Sequence, residues 1–135
     1  NVDASIFLTQ AALPHLGAGD AVIYTTSVNA FKGNAGLVAY STTRGAVLAL
    51  ARSMATALTP QGIRVNAVAP GPIWTPLIPG SMPAETVEDF GSKVPMGRAG
   101  QPWEVATSYL FLASDDGSYF SGQCLHPNGG VVVNG

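Results

Sequence analysis

Hydrophobic positions along this chain follow two patterns, wide helical faces and short apolar runs without a polar face. The helical pattern predicts three helices, at Val2 to Leu16, Leu37 to Leu58 and Gln101 to Ala113. Chain breakers bound all three: a glycine loop at 17–20 follows the first, Pro60 and Gly62 end the second, and Pro102 opens the third.

The apolar runs predict three strands, at Ala21–Thr26, Ile63–Ala69 and Gln123–His126. Short, β-branched runs with little charge are typical of strands buried on both faces of a parallel sheet. Helices and strands that alternate along the chain therefore predict an α/β fold with a parallel sheet. The Pro-rich segment 73–98 is too long for a plain connection, and we interpret it as a lid. Its larger apolar side chains either line a substrate pocket or pack the lid itself: Trp74, Leu77, Ile78, Met82 and Phe90.

Charge is sparse, at 10% of residues against 47% hydrophobic, and this excludes several classes of function. The net charge is −2 and the six basic residues are scattered, so no nucleic-acid partner is expected. No apolar run approaches eighteen residues, so no membrane span is predicted. The single Cys124 cannot form an internal disulfide, which favours a reducing, cytoplasmic location. His15 and His126 lack metal-ligand spacing, so no metal site is predicted.

Three polar residues suggest chemistry at one edge of the predicted sheet. Tyr40 and Arg44 are four residues apart on a helix, so their side chains share one face. Ser27 closes the first predicted strand at its carboxyl end, where open α/β sheets bind ligands. Hydride transfer at a carbonyl needs an acid/base, a donor for the oxygen and a positive charge, since a fixed cation favours the phenolate form of tyrosine. Taken alone, a Tyr-x-x-x-Arg pair is more typical of a helix surface.

Ser27, twelve intervening residues, Tyr40 and a basic residue four positions later resemble the active site of the short-chain dehydrogenases/reductases. The likeness extends over the whole chain and includes Ile63–Gly71, Pro70–Thr75, Leu112–Asp115, Ser121–Gln123 and Gly129–Gly130. Within that family, Pro14-His15 and the run His126–Gly130 look most like bacterial general-stress and sugar-alcohol dehydrogenase-like members.

This resemblance implies a role for each matched position. Tyr40 would be the general acid/base, Ser27 would donate to the substrate oxygen, and Asn1 would anchor a water chain for proton relay. The cofactor would be NAD or NADP, and the residues expected to contact it are Tyr40, Arg44, Pro70, Gly71, Ile73 and Thr75. The substrate would be a small alcohol, aldehyde or ketone. The full-length protein would be a homo-oligomer, a dimer or a tetramer, with a helix-on-helix interface that includes Ala46, Ala49 and Leu50.

The sequence departs from the family pattern in two ways. Arg44 stands where the family has lysine; it supplies a permanent charge, but it is longer and forked and does not release a proton. We therefore expect impaired rather than abolished chemistry. Nor does any Gly-rich turn follow a strand, where nucleotide phosphates bind in this fold. Residues 1–135 are accordingly expected to be a partial Rossmann-type domain, the C-terminal, catalytic part of a doubly wound sheet with three strands and flanking helices, without the N-terminal nucleotide-binding half.

Three functions follow from these observations. The leading hypothesis is an NAD(P)-dependent oxidoreductase that transfers hydride between the cofactor and a small alcohol or carbonyl compound. The second is a truncated, non-catalytic remnant that at most associates with intact subunits, which Arg44 and the missing phosphate turn both favour. The third is a nucleotide-sensing regulator on the same fold. The sequence selects neither the substrate nor NAD against NADP.

Overall fold

The computed structural model describes residues 1–133. Its helices are α1 (Val2–Ala12), α2 (Asn29–Lys32), α3 (Val38–Leu58), α4 (Leu77–Ser81), α5 (Ala84–Glu88) and α6 (Pro102–Ala113). Its strands are β1 (Ala21–Thr25), β2 (Arg64–Val68) and β3 (Cys124–Leu125). Short 3-10 turns extend α1, α3 and α6 at their C-terminal ends. None of the helices in this part of the chain is both long and apolar enough to cross a membrane.

The three strands form one parallel sheet in the order β1-β2-β3. β1 pairs residue for residue with β2, from Ala21 beside Arg64 to Thr25 beside Val68. This arrangement confirms the predicted α/β fold with three parallel strands and flanking helices. Each strand is shorter than the apolar run that predicted it, and β3 has only two residues.

The core lies on both faces of β2, because successive side chains of a strand point to opposite faces. On one face, Val65 and Ala67 pack against a stripe of α3 that includes Val47, Leu48, Ala51, Ala55 and Leu58. On the other face, Val68 packs against Val105 and Leu112 of α6. Burial of each such valine or leucine contributes about 1.5–3 kcal/mol. The two helices therefore hold the sheet between them and fix where each strand ends.

The predicted lid, residues 73–98, contains the short helices α4 and α5, and its two ends are joined at the base. Ile73 forms a parallel bridge with Gly100, in which the Trp74 amide donates to the Gly100 carbonyl at 2.8 Å and the Gly100 amide to the Pro72 carbonyl at 2.9 Å. Within the segment Ile78 is buried, whereas Leu77 is 70% exposed. The segment 73–98 thus begins and ends at neighbouring positions, next to the loop that follows β2.

Candidate active site

The first two turns of α3 place Tyr40 beside Arg44, and both turns are fastened to the end of β1. The guanidinium carbon of Arg44 lies 4.9 Å from the centroid of the Tyr40 ring. Arg44 Nη1 donates to the carbonyl of Thr25 at 3.0 Å, and the buried Thr26 hydroxyl donates to the carbonyl of Arg44 at 2.7 Å. These two bonds, one from the side chain and one to the backbone, hold the cation over the phenol ring at the carboxyl edge of the sheet.

Ser27 lies two residues beyond β1, rather than at the last position of the strand as predicted, because β1 ends at Thr25. Its side chain is buried, and its Oγ accepts the amide proton of Asn29 at 3.2 Å. Within residues 1–133 the Ser27 hydroxyl finds no acceptor for its own proton. The next amide, of Val28, donates to the carbonyl of Pro70 at 3.1 Å and ties this segment to the loop after β2.

Asn1 precedes α1 and reaches α3 through a threonine that lies between the two functional positions of that helix. Asn1 Nδ2 donates to Thr43 Oγ1 at 3.1 Å, and Thr43 Oγ1 donates to the carbonyl of Tyr40 at 2.8 Å. The asparagine is exposed, and its own carbonyl accepts a hydrogen bond from the Ser5 hydroxyl. Asn1 is therefore adjacent to the turn that carries Tyr40 and Arg44, although it lies some forty residues away in sequence.

The loop after β2 runs between the lid and the segment after β3. The Gly71 amide donates to the carbonyl of Pro127 at 3.0 Å, and a Cβ on Gly71 would lie only 2.7 Å from Asn128 Cα, so no larger residue fits there without a shift. In the bridge between Ile73 and Gly100, the backbone bonds are made by Pro72 and Trp74, so the amide of Ile73 points away from the bridge. Thr75 is half-buried two residues further on.

A cavity of about 360 Å³ lies beside this loop, on the side toward α6. It is lined by Pro72, Ile73, Met96, Arg98, Gly100, Glu104, Val105 and residues 126–130. Neither Ser27 nor Tyr40 lines it. Arg98 forms a bidentate ion pair with Glu104 at 2.7 and 2.8 Å, and this bond, together with the Gln101 amide, lowers the pKa of Glu104 to about 2. The pair fixes the start of α6, which agrees with a structural role for Glu104.

Sequence reasoning missed the three threonines that organise these residues. Thr25 and Thr26 were assigned only to a strand, although two polar β-branched residues directly before Ser27 break an otherwise apolar run. Thr43 gave no signal, because threonine inside a helix commonly bonds back to its own helix. Nothing in residues 1–133 groups three or more His, Cys, Asp or Glu side chains as a metal site would.

Comparison with known proteins finds relatives that match almost the whole of this chain. A family model described as enoyl-(acyl carrier protein) reductase matches residues 1–132. The glucose and ribitol dehydrogenase of Daucus carota is 58% identical over 135 residues, the chloroplastic NADPH-dependent aldehyde reductase 1 of Arabidopsis thaliana 59% over 135, and general stress protein 39 of Bacillus subtilis 55% over 133. They are matched over 98–100% of this chain but 46–47% of their own length, so the chain spans about half the length of these curated relatives.

Solved structures agree with the sequence relatives. The glucose/ribitol dehydrogenase of Brucella melitensis, titled a short-chain dehydrogenase/reductase, superposes with a TM-score of 0.87 at 30% identity and covers 98% of this chain and 54% of its own. The angucycline C-6 ketoreductase LanV, solved with bound NADP, gives a TM-score of 0.87 at 27% identity over 96% of this chain and 50% of its own. By its sequence match, its parallel sheet and its Ser27, Tyr40 and Arg44 pattern, the chain belongs to the short-chain dehydrogenase/reductase family.

Proposed function

We propose that these residues form the catalytic part of an NAD(P)-dependent oxidoreductase that moves hydride between the cofactor and a small alcohol, aldehyde or ketone. One observation carries the proposal. The Arg44 guanidinium lies 4.9 Å from the Tyr40 ring centroid and is bonded to the Thr25 carbonyl, at the carboxyl edge of the sheet. A cation fixed beside a phenol in this way can stabilise the negative charge that develops on the phenol when it transfers a proton in the transition state. Family membership and the reductase and dehydrogenase names of the relatives agree with it.

Tyr40 serves in this proposal as the general acid/base at the substrate oxygen. In reduction its hydroxyl gives a proton to the oxygen as the carbonyl carbon gains hydride, and in oxidation the phenolate takes that proton back. Arg44 stabilises the negative charge left on the tyrosine oxygen. Because guanidinium does not release a proton at physiological pH, Arg44 acts as a fixed charge and not as a relay.

Ser27 serves as the donor to the substrate oxygen. Its Oγ already accepts the Asn29 amide at 3.2 Å, which orients the hydroxyl, and its own proton has no acceptor among residues 1–133. A buried, oriented hydroxyl of this kind stabilises the charge that develops on the oxygen in the transition state. Asn1, bonded through Thr43 to the turn of Tyr40, is placed to hold water that resupplies the proton.

The donors left open at this edge fit a nicotinamide nucleotide. Arg44 Nε and Ser41 Oγ are buried and lack hydrogen-bond partners within the described residues, as groups that meet a ribose hydroxyl would. The free amide of Ile73 and the hydroxyl of Thr75 suit a carboxamide, with Pro70 and Gly71 forming the backbone beside it. When bound, the nicotinamide supplies or accepts hydride.

The proposal also covers the larger assembly. We take residues 1–135 as the catalytic part of a Rossmann-type domain, which agrees with the chain spanning about half of its relatives. A homo-oligomer with helix-on-helix contacts agrees with the exposed Ala46 and Ala49 of α3, whereas Leu50 is partly buried against the core. Light scattering of the full-length protein tests this, and a monomer would contradict it.

The decisive experiment replaces Tyr40 by phenylalanine in the full-length natural polypeptide. With a panel of small aldehydes, ketones and alcohols, we expect Tyr40→Phe to lower kcat by about 10²–10⁴-fold, measured as oxidation or formation of reduced nicotinamide. Tyr119→Phe is the matched control, since Tyr119 is fully exposed and follows the turn after α6. Equal turnover in Tyr40→Phe and the parent would overturn the assignment. Cofactor binding without any turnover would favour the nucleotide-sensing regulator. The absence of both binding and turnover would favour the non-catalytic remnant.

A further inference from the structure

We propose that His126 is a positioning residue for Ser27: its imidazole packs against Phe31, and Phe31 stabilises the short helix that orients the Ser27 hydroxyl. The inference rests on the proposed role of Ser27. His126 lies one position beyond β3 and is not among the predicted site residues.

The contact between the two rings is close and directional. The centroids of Phe31 and His126 are 4.7 Å apart with an interplanar angle of 74°, an edge-to-face arrangement. Phe31 also packs against the core cluster beneath α3. His126 Nε2 is buried and has no hydrogen-bond partner within residues 1–133. The imidazole is therefore held by packing against the Phe31 ring and not by a polar bond at that nitrogen.

Phe31 belongs to the same turn as Ser27. The Asn29 amide donates to Ser27 Oγ, the Ala30 amide to the Ser27 carbonyl at 2.9 Å, and the Phe31 amide to the carbonyl of Val28 at 3.1 Å. A helix of four residues is not stable by itself, because one turn returns too few hydrogen bonds for the backbone it orders. The turn therefore depends on the packing of Phe31, and the orientation of Ser27 depends on the turn.

Burial and a neighbouring arginine oppose protonation of His126. Burial first, and then Arg52 on α3, lower the pKa of His126 below its ordinary value of 6.5. Arg98 and Glu104, which line the same cavity from the side of α6, neutralise each other as an ion pair. Two residues before His126, on β3, burial raises the pKa of the Cys124 thiol to about 11, so this thiol adds no charge.

The lowered pKa of His126 determines how stability changes with pH. Since the folded chain binds the His126 proton less readily than the unfolded chain, stability is lost as pH falls below about 6.5. A proton adds charge to a half-buried imidazole whose Nε2 is buried, so it favours movement of the ring toward solvent and away from Phe31. Acid should thus loosen α2 before the rest of the fold.

Nuclear magnetic resonance tests the connection without any cofactor. In the parent chain, the amide resonance of Asn29, which donates to Ser27, is expected to titrate with the same midpoint as the imidazole of His126. In His126→Phe, which keeps an aromatic ring but carries no proton, this titration should vanish. His15→Gln is the matched control, because His15 is exposed on the turn after α1, and it should leave the Asn29 titration unchanged.

Phe31→Leu provides a second variant if His126→Phe fails to fold; it leaves the imidazole in place and should uncouple Asn29 from it. Persistence of the Asn29 titration in both variants, or its absence in the parent while the imidazole titrates, would overturn the proposal. In turnover assays of the full-length protein, His126→Phe should lose less kcat between pH 7 and pH 5.5 than the parent, with the cofactor KM unchanged. An equal loss would overturn the catalytic part. Coupling without turnover in any variant would instead count against the proposed function.

Discussion

At the scale of single residues, Arg44 has one guanidinium nitrogen with a hydrogen-bond acceptor and another, buried nitrogen for which residues 1–133 supply none. Its Nη1 bonds to the Thr25 carbonyl and its guanidinium covers the Tyr40 ring, an interaction of about 0.5–2 kcal/mol depending on exposure. Its Nε is buried and has no hydrogen-bond partner among residues 1–133, which costs about 1–3 kcal/mol in the free chain. A ligand hydroxyl at Nε would remove that cost, so cofactor binding and the position of the cation are linked through one side chain.

Arg44→Lys should raise turnover, by about tenfold, because an ammonium keeps the charge near Tyr40 and can also exchange a proton with the site. The measurement is kcat of the full-length protein for a reducible carbonyl substrate. Arg52→Lys, an exposed position on the same helix, serves as the control and should leave kcat unchanged. Unchanged or lower turnover in Arg44→Lys would show that the guanidinium is an adaptation of the site and not an impairment.

At the scale of elements, the hydrophobic pattern predicted the long buried helices and strands, and it missed the short elements that depend on specific side-chain contacts. α3 was predicted to within one residue, since a long Ala/Leu stripe bounded by Pro60 leaves few alternatives. The strands were predicted one or two residues too long, because pairing between neighbouring segments does not stop with the strand: the Thr26 amide still donates to the Val68 carbonyl, and the Ala69 amide to the Leu125 carbonyl. α2 was not predicted, because four residues carry no helical period; in the structure Phe31 of this helix packs against the core.

The junction between β2 and α6 depends on Arg64. Its guanidinium donates to the carbonyls of Leu112 at 2.7 Å, Gly117 at 3.0 Å and Ser114 at 3.3 Å, so one cation satisfies the carboxyl end of a helix and the turn after it. Arg64→Met should lower the free energy of unfolding by roughly 2–3 kcal/mol, because it leaves half-buried carbonyls without donors. Urea unfolding measures this against Arg52→Met, an exposed arginine whose loss should stay within about 0.5 kcal/mol. Equal losses would contradict the assigned role.

The start of α6 should respond to acid through Glu104. Its pKa is lowered from 4.5 to about 2, first by the hydrogen bond from Arg98 and then by the Gln101 amide. A carboxyl whose pKa is depressed by folding contributes stability above its unfolded pKa, and that contribution is lost as pH falls from about 4.5 toward 2. Glu104→Gln should therefore lose less Tm over this interval than the parent. Glu85→Gln, at an exposed position of α5, should follow the parent, and a Glu104→Gln curve parallel to the parent would refute the prediction.

At the scale of the whole molecule, parallel topology explains why distant segments meet. Ser27 follows β1 and Pro70 follows β2, so register alone brings them to one edge, where the Val28 amide bonds to the Pro70 carbonyl. This much follows from the predicted strands. Two hydrogen bonds could not be predicted, because they depend on side-chain distances and not on periodicity. Arg44 of α3 donates to the Thr25 carbonyl at that edge, and Asn1 donates to Thr43 of α3.

The same topology predicts how these 135 residues bind nucleotide when studied alone. The donors described above, at Arg44, Ile73 and Thr75, serve only the nicotinamide end, and no Gly-rich turn follows β1 or β2 to hold a pyrophosphate. The 135-residue chain should therefore bind NADH and NADPH with Kd of about 1 mM or weaker, near −4 kcal/mol, and should bind reduced nicotinamide mononucleotide equally well. Fluorescence titration compares the three ligands, with Thr75→Val expected to weaken all of them alike. Micromolar affinity for either dinucleotide, or a clear preference over the mononucleotide, would show that these residues also bind the adenosine half.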